Sequence, residues 1–352
     1  MIALDSTLYI KGENPLPKVG LLTGGGDSSA INAAIEAATI TLGQYGYEVV
    51  GFQNGWVGLV HNQSSSLNSQ ALVNIRQTPG TYLGTSRFNP LREDKIPEIL
   101  EHLASYKGLV VIGGDDTLSV AAELAKRGVN VVGIPQTIDN DVWGTDRCLG
   151  FDTAVTRIVD SIAELVSTNI SHHKDMLVEV MGRDSGWLAV HSAALAGAHE
   201  FLIPEETVDL PKLAERIRQI HRQGEPAMII VAEGVDLPSR QESEPVDSFG
   251  NQAFAGISNF LAEELEAAGL AKPRNVVLSY LQRGGKPSMA DELLALRMGK
   301  EAATLIHQSR GGTMVSLKDG QLQAIPLGEV VGKKQRVPQQ EIDFARSLLA
   351  LC

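Results

Sequence analysis

Short apolar runs recur along the chain, each followed by a polar or glycine-rich break and then by apolar residues at helical spacing. Residues 18–23 (KVGLLT) read as a buried strand, Gly24-Gly25-Gly26-Asp27 as a turn, and Ile31, Ile35, Ala38 and Leu42 as one face of a helix. The same order of events returns at 109–112, where Gly113-Gly114-Asp115-Asp116-Thr117 leads into Leu118, Ala121, Ala122, Leu124 and Ala125. Further strands are predicted at 47–52, 129–134, 176–180, 227–232, 275–278 and 313–316, with helical stretches between most of them. That alternation predicts an α/β fold whose strands run parallel and are buried under helices. A first domain is expected over 18–150 and a second from a helix at 153–169. Residues 64–66 (SSS) form a low-complexity patch, and the polar stretch 238–247 reads as a surface loop.

Composition narrows the class. At 352 residues the chain has room for about two domains, and 43% hydrophobic with 20% charged residues excludes a disordered protein. A net charge of −12 argues against nucleic acid or an anionic membrane as the main partner. Two cysteines, Cys148 and Cys352, supply neither a disulfide framework nor a four-thiolate metal site, and they read as free thiols in a reducing compartment. Residues 1–17 lack the basic-then-apolar order of a signal peptide, and the apolar runs are too short to cross a bilayer. The cytoplasm is the expected location.

The chemistry concentrates where strands are expected to end. A glycine turn between a parallel strand and a helix either tightens the chain or lets backbone N–H groups approach a phosphate with the helix dipole behind it. Asp27, Asp115 and Asp116 would repel a phosphate unless a cation intervened, so acids beside such turns point to Mg²⁺ bridging the two. A third element, Pro135-Gln136-Thr137-Ile138-Asp139-Asn140-Asp141, follows the strand at 129–134. If extended, it sets Thr137, Asp139 and Asp141 on one side, which suits deprotonation of an alcohol; the other reading is a turn built from Asx residues. Arg87, Arg183, Arg274 and Arg283 sit near glycines or in polar motifs, where a guanidinium either binds phosphate or is a solvated charge. The eight histidines show no helical metal spacing.

TGGGD, GTYLGTSRF, IGGDDT, PQTIDNDV, GFDTA, VEVMGR and LQRGG, in this order from Thr23 to Gly285, resemble the phosphofructokinase family. The resemblance implies two doubly wound, mostly parallel sheets with helices on both faces, and an active site in the cleft between them. It implies phosphoryl transfer to the 1-hydroxyl of fructose 6-phosphate, giving fructose 1,6-bisphosphate, with Mg²⁺ as cofactor. Asp139 would then be the general base, Thr137 and Arg183 would stabilise the moving phosphoryl group, and Asp115 would hold the metal. Gly26, Arg87, Asp116, Thr117 and Gln136 would face the donor. Asp141, Lys174, Met181, Gly182, Arg183, Glu233, Arg274, Tyr280 and Arg283 would face the sugar phosphate. Residues 18–150, completed by part of 283–335, would form the donor domain and 151–282 the sugar-phosphate domain. Because some phosphate ligands in this family come from a neighbouring subunit, a homodimer or homotetramer is expected.

Departures from the family pattern bear on the donor. ATP-using bacterial members usually read GGDG, whereas Asp116 makes this motif GGDD and resembles the pyrophosphate users. Two unit charges about 4 Å apart at an effective dielectric near 20 repel by roughly 4 kcal/mol, which disfavours a third phosphate. Gln53 stands where ATP users commonly place a tyrosine, in the same direction; Gln136 matches neither the lysine of pyrophosphate users nor the glycine of ATP users. Pyrophosphate is therefore the expected donor, with ATP the alternative. Tyr280 and Lys174 replace a common His and Arg, so a related sugar phosphate such as sedoheptulose 7-phosphate is a further candidate. Ala30 stands at a usual glycine, and Glu36 with Ile40 replaces the basic residues of the family's effector site. A catalytically silent, ligand-binding regulator is the rival of another class, and the presence of Asp115, Asp139 and Asp141 argues against it.

Overall fold

A computed structural model describes residues 15–68, 70, 72, 74–237 and 256–349. Cys352 and the polar stretch 238–247 lie outside the described residues. The strands are β1 (Lys18–Gly24), β2 (Glu48–Phe52), β3 (Ser64–Leu67), β4 (Tyr106–Gly113), β5 (Val131–Pro135), β6 (Met176–Val180), β7 (Glu200–Leu202), β8 (Met228–Ala232), β9 (Arg274–Val277), β10 (Thr313–Lys318) and β11 (Gln321–Pro326). The helices are α1 (Ile31–Gln44), α2 (Trp56–Val60), α3 (Ile96–Leu103), α4 (Asp115–Lys126), α5 (Phe151–His172), α6 (Trp187–Ala196), α7 (Leu210–Arg222), α8 (Ile257–Ala267), α9 (Met289–His307), α10 (Leu327–Val330) and α11 (Gln339–Leu349).

Two sheets result. A seven-stranded sheet has the order β11-β10-β5-β4-β1-β2-β3, and a four-stranded sheet has the order β7-β8-β6-β9. The apolar runs make the central strands because both of their faces are covered: Leu109 and Val111 of β4 enter one cluster, Val110 and Ile112 the opposite one. Helices α1 and α9 cover one face, and α2, α3 and α4 the other. Gly299 of α9 lets the two helices close on each other, since a Cβ there would overlap the Ala34 carbonyl of α1. A separate core gathers β6, β7 and β8 with α5, α6, α7, α8 and α11.

The sheets are mostly parallel, as expected, and the exceptions lie at the edges of the larger one. Strands β3 and β11 run antiparallel to β2 and β10, while β1, β2, β4, β5 and β10 are parallel. The serines of β3 are exposed and show no apolar pattern, so the 64–66 patch becomes an edge strand through pairing with β2 alone. Short β7 was likewise invisible to an apolar-run reading, being three residues long. The second sheet is wholly parallel. Strands β10 and β11 return the chain to the first sheet after the second has been completed.

Candidate active site

Parallel strands point their C-terminal ends the same way, and open α/β sheets gather ligands there, at the point where successive connections leave in opposite directions. In the larger sheet that point lies between β1 and β4, from which the order runs outward to β2 on one side and β5 on the other. A cleft of about 140 Å³ opens there, lined by Gly25, Gly26, Gly114, Asp115, Asp116, Thr117, Gln136, Thr137, Asp139, Asp141, Arg183, Arg283 and Lys334. Its residues follow β1, β4 and β5 of the first sheet and β6 of the second, with Arg283 supplied by a 3₁₀ turn at Ser279–Arg283 and Lys334 by the segment after α10.

Local structure departs from expectation at two places without dispersing the set. The turn expected to contain Asp115 and Asp116 ends at Gly114, and both acids open α4 instead. The helix N-terminus stabilises them there, because its unpaired N–H groups carry partial positive charge. The segment after β5 is not extended: Asn140 adopts a left-handed conformation, with φ at 52°. Asp139 N–H donates to Thr137 Oγ1 at 3.2 Å, and Asn140 Oδ1 accepts from Cys148 N–H at 2.8 Å. The Asx and hydroxyl hydrogen bonds thus build a turn, and the turn brings Thr137, Asp139 and Asp141 to one cleft as alternation would have done.

Burial dominates the electrostatics. Asp115 is pushed up to about 6, first by burial and then by Asp116, with Lys334 opposing. Burial and then Asp139 raise Asp141 to about 7, and the same two influences raise Glu233 to about 7. One carboxylate oxygen of Asp115 and one of Asp139 are buried without a hydrogen-bond partner, as are both polar atoms of the Gln136 amide. Unpaired buried polar groups are costly, so their clustering in a cleft marks a place built for a ligand.

Around this cleft, Glu233 Oε1 accepts from Arg183 N–H at 3.1 Å, and Met181 N–H donates to Gln282 Oε1 at 3.1 Å. Gly182, with φ at 140°, makes the bend between Met181 and Arg183. Arg87 is exposed on a loop that flanks the first glycine turn, where Gly25 N–H donates to the Ser86 carbonyl at 3.2 Å. Two expected residues stand apart. Lys174 precedes β6 and Arg274 opens β9, opposite Met176, so both are exposed at the N-terminal edge of the second sheet, away from the cleft. Tyr280 is 71% exposed.

Conversely, Lys334, Ser185 and Gln282 were missed. Ser185 Oγ donates to the Asp139 carbonyl at 3.0 Å, and Lys334 Nζ lies 2.7 Å from Asp184 Oδ2. The only local signal for Lys334 is its place in the basic run Lys333-Lys334-Gln335-Arg336.

Two α/β layers meeting at a glycine-lined, carboxylate-rich cleft define a protein that handles phosphate groups. The family model for phosphofructokinase matches residues 18–306, and the chain belongs to that family. It is 38% identical to a pyrophosphate--fructose 6-phosphate 1-phosphotransferase of Dictyoglomus thermophilum, over 91% of this chain and 95% of that protein. It is 39% identical to an ATP-dependent 6-phosphofructokinase of Corynebacterium efficiens, over 94% of this chain and 98% of the other. A crystal structure of a pyrophosphate-dependent phosphofructokinase from Nitrosospira multiformis shares the fold, with a TM-score of 0.81 at 21% identity, covering 95% of this chain and 91% of that one. Among the described residues no helix is long and apolar enough to cross a membrane.

Proposed function

We propose that the chain transfers a phosphoryl group from pyrophosphate to the 1-hydroxyl of fructose 6-phosphate. The observation that carries the donor assignment is Asp116, which lines the cleft from the first turn of α4 beside Asp115. A carboxylate there repels an additional phosphate. Similarity to the Dictyoglomus protein supports the same reading.

In this reading Asp139 accepts the proton of the 1-hydroxyl as that oxygen bonds to phosphorus, and inorganic phosphate leaves. Thr137 and Arg183, both lining the cleft, stabilise the charge on the moving group. Gly26, Thr117, Gln136 and Arg87 face the donor. Asp141, Met181, Gly182, Glu233 and Arg283 face the sugar phosphate. Residues 18–150 with part of 283–335 serve the donor and 151–282 the sugar.

The residues fit Mg²⁺. The described residues contain no cluster of three acidic, histidine or cysteine side chains able to hold a metal alone. Magnesium does not require one, because it keeps water and takes one or two carboxylates plus substrate phosphates. The unpartnered buried oxygen of Asp115 suits the carboxylate share. Bound there, Mg²⁺ would neutralise charge on the donor phosphates.

Lys174 and Arg274, exposed and away from their own cleft, fit a role in a neighbouring subunit's sugar-phosphate site, so a homodimer or homotetramer is the proposed assembly. The cytoplasm, where sugar phosphates are held, is the proposed location. ATP as donor is the second reading, supported by the similarity to the Corynebacterium protein, while Gln136 matches neither donor class. Purified protein assayed with fructose 6-phosphate, Mg²⁺ and either pyrophosphate, ATP or ADP tests the reaction and its donor. A kcat/KM for ATP about tenfold or more above that for pyrophosphate would overturn the donor assignment.

A further inference from the structure

The segment after α10 crosses from the first sheet to the second, where α11 packs against α6. It is pinned along its length: Gln335 N–H donates to the Asp141 carbonyl at 2.8 Å, and Trp187 Nε1 donates to the Gln335 carbonyl at 3.2 Å. Val337 N–H donates to Glu205 Oε1 at 3.0 Å, and Lys334 forms an isolated antiparallel bridge with Val142. Such anchoring is more than a surface tail needs, and its effect is to hold one ammonium group at the cleft.

Lys334 lines the cleft together with Asp115, Asp116, Asp139 and Asp141. Its Nζ lies 2.7 Å from Asp184 Oδ2 and 3.8 Å from Asp141 Oδ2. The Asp184 side chain is 51% exposed, and a solvated ion pair of this kind adds little to stability, so water can replace the lysine cheaply. Of the other cations lining the cleft, Arg283 donates to the Asp27 carbonyl, and Arg183 is already assigned to the moving phosphoryl group. Lys334 is the cation whose charge opposes the upward pull of burial and Asp116 on Asp115. Beside these acids, Gln136 offers a buried amide with both polar atoms unpartnered, a hydrogen-bonding group without charge. A diphosphate entering a cleft walled by four carboxylates needs positive charge that the glycine turns and Gln136 do not bring.

We propose that Lys334 is a donor-phosphate ligand, an ammonium delivered to the diphosphate site by the C-terminal crossing segment and held at the rim by Asp184 until the donor arrives. The inference rests on the reading of the cleft as a phosphoryl-donor site. It concerns binding of a diphosphate and does not depend on which sugar accepts the phosphoryl group.

Calorimetric titration of the full chain with magnesium pyrophosphate tests it, comparing wild type with Lys334→Met and Asp184→Asn. Loss of a charge-assisted contact is expected to weaken pyrophosphate binding to Lys334→Met by about ten- to a hundredfold. Fructose 6-phosphate binding should weaken much less than pyrophosphate binding, because Lys334 approaches the sugar side only through Asp141 at 3.8 Å. Asp184→Asn should bind pyrophosphate at least as well as wild type; an equal loss in both variants would assign Lys334 a merely structural ion pair and overturn the proposal. A measurement on the wild type removes dependence on folding of any variant. Acetylation of Lys334, followed by peptide mass mapping, should be suppressed by magnesium pyrophosphate and not by fructose 6-phosphate alone. Wild type that binds pyrophosphate with Lys334 still fully reactive overturns this inference alone. Wild type that binds no pyrophosphate removes the proposed donor, and this inference with it.

Discussion

Arg283 Nη1 donates to the Asp27 carbonyl at 3.0 Å, which lays its guanidinium directly over Gly26. The two residues come from the first glycine turn and from the 3₁₀ turn after β9, so the contact ties the two sheets together across the cleft. A Cβ on Gly26 would overlap Arg283 Nη1. Gly26 does not have a positive φ, so alanine is tolerated by the backbone, and the flexible arginine is what must give way. Gly26→Ala is expected to lower kcat/KM by about tenfold or more. Its melting temperature should shift by no more than about 2–4 °C, the equivalent of roughly 1 kcal/mol. Unchanged kinetics would remove Arg283 from the site.

Asp139→Asn keeps the shape of the side chain and its turn but cannot take the hydroxyl proton. The expected result is a fall in kcat of about 10² to 10⁴ with sugar-phosphate affinity nearly retained. Single-turnover rates alongside equilibrium binding separate the two effects. Near-full kcat in this variant would show that another group is the base.

At the donor end, Asp116→Gly removes a carboxylate from the first turn of α4. Relative kcat/KM should move from pyrophosphate toward ATP. The shift will be incomplete, because Gln53 still offers adenine no aromatic face, a contact worth about 1–3 kcal/mol where an aromatic stacks on a base. A donor ratio that does not change would show that Asp116 does not discriminate.

Glu233 gives a pH signature in the ligand-free protein. Burial, followed by Asp139, raises it from 4.5 to about 7. A carboxyl raised on folding contributes stability that is fully present below its unfolded value and is lost as pH rises through the folded value. From pH 4 to pH 8 this one group therefore costs the fold about 3 kcal/mol. Glu233→Gln can still accept from Arg183 N–H, and its advantage in melting temperature over wild type should grow as pH is taken from 5 to 8. An advantage that is the same at both pH values would mean that Glu233 does not titrate in this range.

Glu36 lies on α1, 5% exposed, with Arg76 Nε 3.5 Å from Oε1. An acidic, buried position repels anions where the family pattern gathers them, so ADP and phosphoenolpyruvate should leave the sugar-phosphate saturation curve hyperbolic and unshifted. A sigmoidal curve that ADP straightens would contradict this.

Much of the fold was legible because its signals are local. Apolar runs such as that of β4 have to be buried on both faces, and the glycine turns after β1 and β4 interrupt them where helices begin. The same holds for the chemistry of Asp115, Thr137 and Asp139, whose neighbours in the chain already mark the end of a strand. For the segment after β5 the order of residues left an extended run and an Asx-built turn both open, and the hydrogen bond from Cys148 N–H to Asn140 decides for the turn.

What tertiary structure alone decided are the relationships that no local pattern encodes. The serines of β3 become a strand only against β2, and Lys174 and Arg274 take the far edge of the second sheet because parallel pairing sets their strand starts side by side. Lys334 reaches Asp141 only because the chain returns through β10, β11 and α10 before crossing the cleft. The physical reason is that apolar periodicity fixes which face of an element is buried, while the partner that buries it, and the charges brought along, depend on how distant segments pack.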